Sequence, residues 1–238
     1  MDNSHLGTHI SNQFNADLEE LRTHLLEMGG IVENQVLNAV EALETANGEL
    51  AEEVLQVEKT VDKCELDIDE ECTLVLARRQ PAASDLRMVL TVSKATRDLE
   101  RIGDEAKKIA KMALALNDEG SAAPRGYQEL RHIASNAVSQ VNLALNAFAR
   151  FDAAAAVQVV KSDKIIDREY KTALRELITY MMEDPRSISR VMNVLWALRA
   201  LERIGDHAGN IAQHVIYLVH GKDVRHTPIA EVEADLDI

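Results

Sequence analysis

The chain has 238 residues with only four Pro, ten Gly and 3% aromatic side chains, so the residues that punctuate and fill all-β folds are scarce and helix formers dominate. Forty acidic side chains against 26 basic ones leave a formal net charge of −14, which excludes a nucleic-acid binder, because duplex contacts need Lys and Arg to neutralise phosphate. A chain of this length can bury one large core or two modest ones.

Residues 1 to about 10 read as a loose lead-in with neither the basic patch nor the apolar run of a secretory signal. From about Ser11 to Thr45, Leu18, Leu21, Leu25, Met28, Val32, Val36, Ala39 and Leu43 recur at steps of three and four and predict a first helix. Gly29-Gly30 is a candidate kink within it, and Asn47-Gly48 is the stop signal. A second helix follows from about Glu49 to Arg79, with Val54, Val57, Val61, Cys64, Ile68, Cys72 and Val75 along its seam, until Gln80-Pro81 breaks it. Cys64 and Cys72 would lie roughly 12 Å apart along that helix, too far for a disulfide. The third helix, from about Ser84 to Asn117, carries a heptad run through Met88, Val92, Ala95, Leu99, Ile102, Ala106, Ile109, Ala113 and Leu116.

Residues 117–126 (NDEGSAAPRG) read as a linker, and the pattern then restarts. At an offset of 105 the apolar positions of the first helix fall on apolar positions of a fourth. A fifth helix is predicted from about Asp152 to Met182, stopped by Asp184-Pro185, and a sixth from about Arg186 to His220, closed by Gly221. Its seam runs through Val194, Ala197, Leu201, Ile204, Ala208, Ile211, Val215 and Leu218. The longest uncharged run, His132 to Ala149, is too rich in Asn, Ser and Gln for a membrane span. The expectation is an all-α chain of two tandem antiparallel three-helix bundles, residues 10–120 and 124–222, with a frayed tail at 223–238.

Duplication is most visible in the third and sixth helices. Leu99 to Ala110 (LERIGDEAKKIA) and Leu201 to Ala212 (LERIGDHAGNIA) agree at nine of twelve positions at an offset of 102. Each copy holds Glu-x-x-x-Asp, Glu100 with Asp104 and Glu202 with Asp206, which puts two carboxylates on one helix face, turned away from the seam. A lone pair of this kind is ordinarily a solvated surface, here with Lys107, Lys108 or Arg97 as ion-pair partners. The middle helices repeat the arrangement, however, with Glu58 and Asp62 falling on Asp163 and Asp167. Four carboxylates could therefore converge in each bundle, and like charges that close call for a cation or a basic partner. An oxygen-only donor set suits Mg²⁺, Mn²⁺ or iron, with Zn²⁺ also admissible. Gly103 and Gly205, each beside the aspartate, imply either close helix packing or close approach of a ligand, since a mid-helix Gly costs about 1 kcal/mol. His207, His214, His220 and His226 read as surface histidines. Glu129-x-x-His132 occurs once, with the reversed His24-x-x-Glu27 at the equivalent place, which does not make a di-iron oxidase pattern. No glycine-rich phosphate loop, nucleophile elbow or Cys-x-x-Cys is present in the sequence.

The doubled LERIGD phrase, the connector ARRQPAASDLR at Ala77 to Arg87 and YMMEDPR at Tyr180 to Arg186 resemble the PhoU family of bacterial phosphate-transport accessory proteins, from about Ile10 to His226. The resemblance implies surface metal clusters held by Glu58, Asp62, Glu100 and Asp104 in the first domain and by Asp163, Asp167, Glu202 and Asp206 in the second. Lys108 opposite Asn210 is an asymmetry between them. The resemblance further implies a cytoplasmic, non-enzymatic homodimer, recruited to the inner face of the membrane through its partners and not inserted in it. Such a protein would restrain phosphate uptake and the Pho regulon by coupling the transporter's ATPase subunit (PstB) to the sensor histidine kinase (PhoR). The alternatives are an oxygen-ligated metalloenzyme and a metal-buffering helical scaffold.

Overall fold

The computed structural model describes residues 12–118 and 127–236. Six long helices carry the fold: α1 (Asn12–Thr45), α2 (Gly48–Arg79), α3 (Ala83–Asp118), α4 (Tyr127–Arg150), α5 (Ala153–Glu183) and α6 (Ile188–His220), with a short 3-10 turn at Pro185–Ser187 and a terminal α7 (Ile229–Leu236). No strand occurs among the described residues. The expected lead-in at 1–10 and most of the expected linker, residues 119–126, lie outside them.

Local chemistry sets the boundaries, and the two repeats use the same devices. Ala46 (φ 52°) and Phe151 (φ 54°) turn the chain, after which Asn47 accepts from the Leu50 amide and Asp152 from the Ala155 amide to cap α2 and α5. Gly221, at φ 73°, closes α6 with its amide on the Tyr217 carbonyl. The heptad seams are buried as expected, Leu99, Ile102 and Ile109 of α3 and Leu201, Ile204 and Val215 of α6 among them. The α1 helix passes through Gly29-Gly30 without interruption. Gly29 instead lets α4 approach: a Cβ there would sit 2.7 Å from a Leu145 methyl. Both cysteines are free, and burial pushes the Cys72 thiol up to about 12.

Within each repeat the three helices pack on one another, α1 with α2 and α3, and α4 with α5 and α6. The two triplets are not strung apart. The most extensive packing in the molecule is α3 against α6, with α1 against α4 beside it, so buried apolar side chains from all seven helices join one core. Both pairs run antiparallel. Arg87 Nε donates to the Leu218 carbonyl (3.1 Å) and Arg203 meets Glu105 (3.1 Å), while Arg22 donates to the Ala149 carbonyl and Arg131 meets Glu44. Helices α2 and α5 flank this four-helix centre.

The tail departs from the frayed stretch expected for it. Ile229 and Val232, three residues apart after Pro228, give α7 an apolar stripe, and Val232 is fully buried against a core that includes α5. Lys161 with Glu233 and Lys222 with Asp235 form ion pairs that hold it.

Candidate metal centres

The first acidic motif lies where α1, α2 and α3 meet. Glu58 on α2 is 3% exposed, and Gln35 on α1 donates to it at 2.7 Å. Lys107 on α3 places its Nζ 3.4 Å from Glu58 Oε1 and 3.3 Å from Asp104 Oδ1. Burial drives the Glu58 carboxyl above its ordinary range, and a hydrogen bond shared with Asp104 favours the proton on Glu58. Asp104, although partly desolvated, is held below its ordinary range by Lys107, so the two carboxyls are pushed in opposite directions, Glu58 up and Asp104 down. Glu100 is pushed up by burial and by the charges of Asp104 and Glu65, and it meets Arg101 at 3.4 Å. Asp62, expected as a fourth ligand, is exposed on α2, and no three of Glu58, Asp62, Glu100 and Asp104 bring ligand atoms within 4.8 Å of one another.

The second motif occupies the equivalent corner of α4, α5 and α6, with a different charge balance. Carboxylate oxygens of Asp167, Glu202 and Asp206 lie within 4.8 Å of one another, and among the described residues no other set of three potential ligands does so. Glu202 is 8% exposed. Its Oε1 accepts from Arg199 at 2.6 Å, but its buried Oε2 has no hydrogen-bond partner. Burial, then the charges of Asp206 and Asp167, raise Asp163 to about 6, and Glu202 and Asp206 are raised for the same reasons. These four carboxyls repel one another in the absence of a cation, and an all-oxygen set with an orphaned buried oxygen fits a divalent metal. A cavity of about 370 Å³ opens beside them, its polar lining Asp163, Arg203, Asp206, His207, Asn210 and Gln213.

Glu58 and Glu202 are buried and Glu100 is half-buried where α2 and α5 pack on α3 and α6, less hydrated than the helical wheel suggested, while Asp62 and Asp206 stay exposed. Gly103 and Gly205 explain how those helices come so close. A Cβ on Gly103 would meet Gln35 Oε1 at 3.0 Å, and one on Gly205 would meet Gln140 Oε1 at 3.0 Å and Ile166 Cδ1 at 3.1 Å. Gln35 and Gln140 are buried floor residues that the motif reading missed. Their signal was available: a polar residue at the same repeat position, inside the apolar pattern of both α1 and α4. Of the expected Lys108/Asn210 contrast, Lys108 pairs with Glu105 at 2.9 Å, while Asn210 lines the cavity beside Asp163 and Asp206.

Two of the supposed surface histidines are structural. His207 Nδ1 and His214 Nε2, on α6, donate to the two oxygens of Asp98 on α3 at 2.9 and 3.1 Å, with Asn210 also donating at 3.1 Å. Burial alone would raise Asp98, yet these hydrogen bonds outweigh it and hold the carboxyl at about 2. His220 and His226 are exposed as expected. His24 pairs with Glu71 and His132 with Glu169.

The family model described as the PhoU domain matches this chain twice, at residues 25–113 and 130–215. The chain belongs to the PhoU family. It is 59% identical over 229 residues to the phosphate-specific transport system accessory protein PhoU homolog of Pseudomonas aeruginosa, covering 96% of this chain and 94% of that protein. Against the phosphate-specific transport system accessory protein PhoU of Escherichia coli it is 42% identical, with 95% and 93% covered. The crystal structure of PhoU from P. aeruginosa superposes with a TM-score of 0.86 at 61% identity, over 88% of this chain and all of that one. The phosphate transport system regulatory protein PhoU from Streptococcus pneumoniae gives 0.82 at 30% identity, over 89% and 99%. Two tandem three-helix units are thus the fold of this chain as of its relatives.

Proposed function

We propose that this protein is an accessory regulator of phosphate-specific transport, acting in the cytoplasm as a non-enzymatic adaptor that restrains phosphate uptake and the phosphate-starvation response when phosphate is plentiful. The observation that carries the reading is 59% identity across 96% of the chain to an accessory protein of that transport system. Its partners in this reading are the transporter's ATPase subunit, PstB, and the sensor histidine kinase, PhoR, and it works as a homodimer. No described helix is long and apolar enough to cross a membrane, which agrees with recruitment through partners. Exposed apolar side chains support a partner-binding role: Ile188, Met192 and Trp196 repeat every fourth residue along one face of α6.

A metal belongs to the same reading. Asp163, Asp167, Glu202 and Asp206 have the donors for Mg²⁺, Mn²⁺ or iron, which would neutralise the cluster and tie α5 to α6. Deleting the gene is expected to switch on phosphate-starvation genes in rich phosphate, and a strain in which they stay silent would overturn the regulatory reading. In phosphate-replete cells, pull-down with the wild type is expected to recover the ATPase subunit or the kinase. Recovery of neither would overturn the adaptor reading.

A further inference from the structure

The two acidic motifs are duplicates in sequence, yet each treats charge differently. In the first, the Lys107 ammonium sits 3.3 Å from Asp104 and 3.4 Å from Glu58, and Glu58 is satisfied further by Gln35. A divalent ion seated between the same oxygens would have to displace that ammonium or share the site with it. The repeat equivalent of Lys107 is Gly209. The second motif therefore has no ammonium at this position; Arg199 reaches only Glu202 Oε1 from the edge and Arg203 on the cavity wall is paired with Glu105, so space opens beside Asp163 and Asp206. Its Glu202 keeps an unpartnered oxygen in a side chain that is 8% exposed, next to Asp167 and Asp206. A buried carboxylate oxygen without a partner is costly, and a cation is the group that satisfies it.

We propose that the motifs have diverged in kind: Lys107 is the resident cation of the first, and a divalent metal is held by the second alone, through Asp163, Asp167, Glu202 and Asp206. This rests on the metal reading given above and divides it unequally between the repeats. The first motif does not fit the metal cluster expected of it, because the amine supplies the positive charge and no three of its carboxylates bring oxygens within 4.8 Å of one another. Lys107 then pins α3 to α2 without any dependence on metal supply, while the α5/α6 corner responds to it.

Equilibrium dialysis of the full-length protein against Mn²⁺, with free Mn²⁺ read from its six-line EPR signal and stability followed by thermal shift, tests this. The wild type is expected to take up Mn²⁺ at one locus. Glu202→Gln with Asp206→Asn is expected to weaken uptake by about tenfold or more and abolish the thermal shift, whereas Glu58→Gln with Asp104→Asn leaves both unchanged. Lys107→Ala is expected to add a second locus that disappears when Glu58→Gln is introduced. Lys107→Gln, which also removes the charge and suits a helix, repeats the test should the alanine variant fold poorly. Equal loss from either pair of motif variants, or no gain on removing Lys107 in either variant, overturns the asymmetry and leaves metal binding intact. A wild type that binds no Mn²⁺ at about 1 mM overturns the metal reading and the proposal together.

Discussion

Gly205 is the residue on which the second motif's geometry turns, because α5 and the Gln140 amide close over the place where a side chain would be. Gly205→Ala gains about 1 kcal/mol of helix propensity but must push Gln140 Oε1, Ile166 and Asp163 aside, an overpacking cost of about 1–3 kcal/mol. A net loss of stability is expected, and Gly103→Ala should behave alike. Gly30→Ala is the control: no atom lies within 4 Å of its new methyl, so a gain of up to about 1 kcal/mol is expected in the same denaturation series. At this scale the sequence showed the repeated carboxylates, since Glu-x-x-x-Asp is a helical spacing. It could not show that Lys107 reaches back across two carboxylates, because a four-carbon stem has many rotamers and only the packed neighbours select one. The four-residue step from Glu58 to Asp62 is likewise a helical spacing, yet it leaves Asp62 exposed where Glu58 is buried.

Between elements, Asp98 is the polar tie of the α3/α6 seam. Its removal in Asp98→Ala leaves His207, His214 and Asn210 without their acceptor, with an expected loss of about 2 kcal/mol or more in chemical denaturation. The sign with pH follows from its depressed value. The contribution is complete above the unfolded-state value near 4 and is lost as pH falls toward the folded value of about 2. Stability measured between pH about 5 and 2 should therefore lose a component in the wild type that Asp98→Asn lacks. Helix extents were legible because heptads, caps and X-Pro breaks are local. The seam was not, because its cross-repeat contacts are largely polar: Arg87, Thr91, Asp98 and Glu105 of α3, all off its heptad line, reach the Leu218 and His214 carbonyls, His207 and Arg203 of α6. A single apolar stripe per helix explains a three-helix bundle; this polar face meets the other repeat. The short α7 was missed because its acidic side chains obscured the Ile229/Val232 step.

At the level of the molecule, two bundles joined by their most extensive packing should not melt separately. Calorimetry is expected to give one cooperative transition, with Trp196 fluorescence, which reports the second repeat, and far-UV circular dichroism, which reports every helix, sharing a midpoint. Two resolved transitions would show the repeats to be independent. The tandem organisation could be read from the offsets of 102 and 105, but the way the repeats face each other could not, because duplication fixes similarity and not orientation.

The antiparallel run of α3 along α6 is also a record of ancestry. Helices related by duplication and packed this way reproduce the contact that a half-length chain would make with its own copy about a two-fold axis. In such a symmetric pair every substitution is made twice. Fusion removes that constraint, and the Asp98 tie shows the use made of it: the position equivalent to Asp98 is Ala200, and those equivalent to His207 and His214 are Glu105 and Met112. Two copies of the first repeat would lack the histidines and two copies of the second would lack the aspartate, so this contact exists only because both halves occupy one chain.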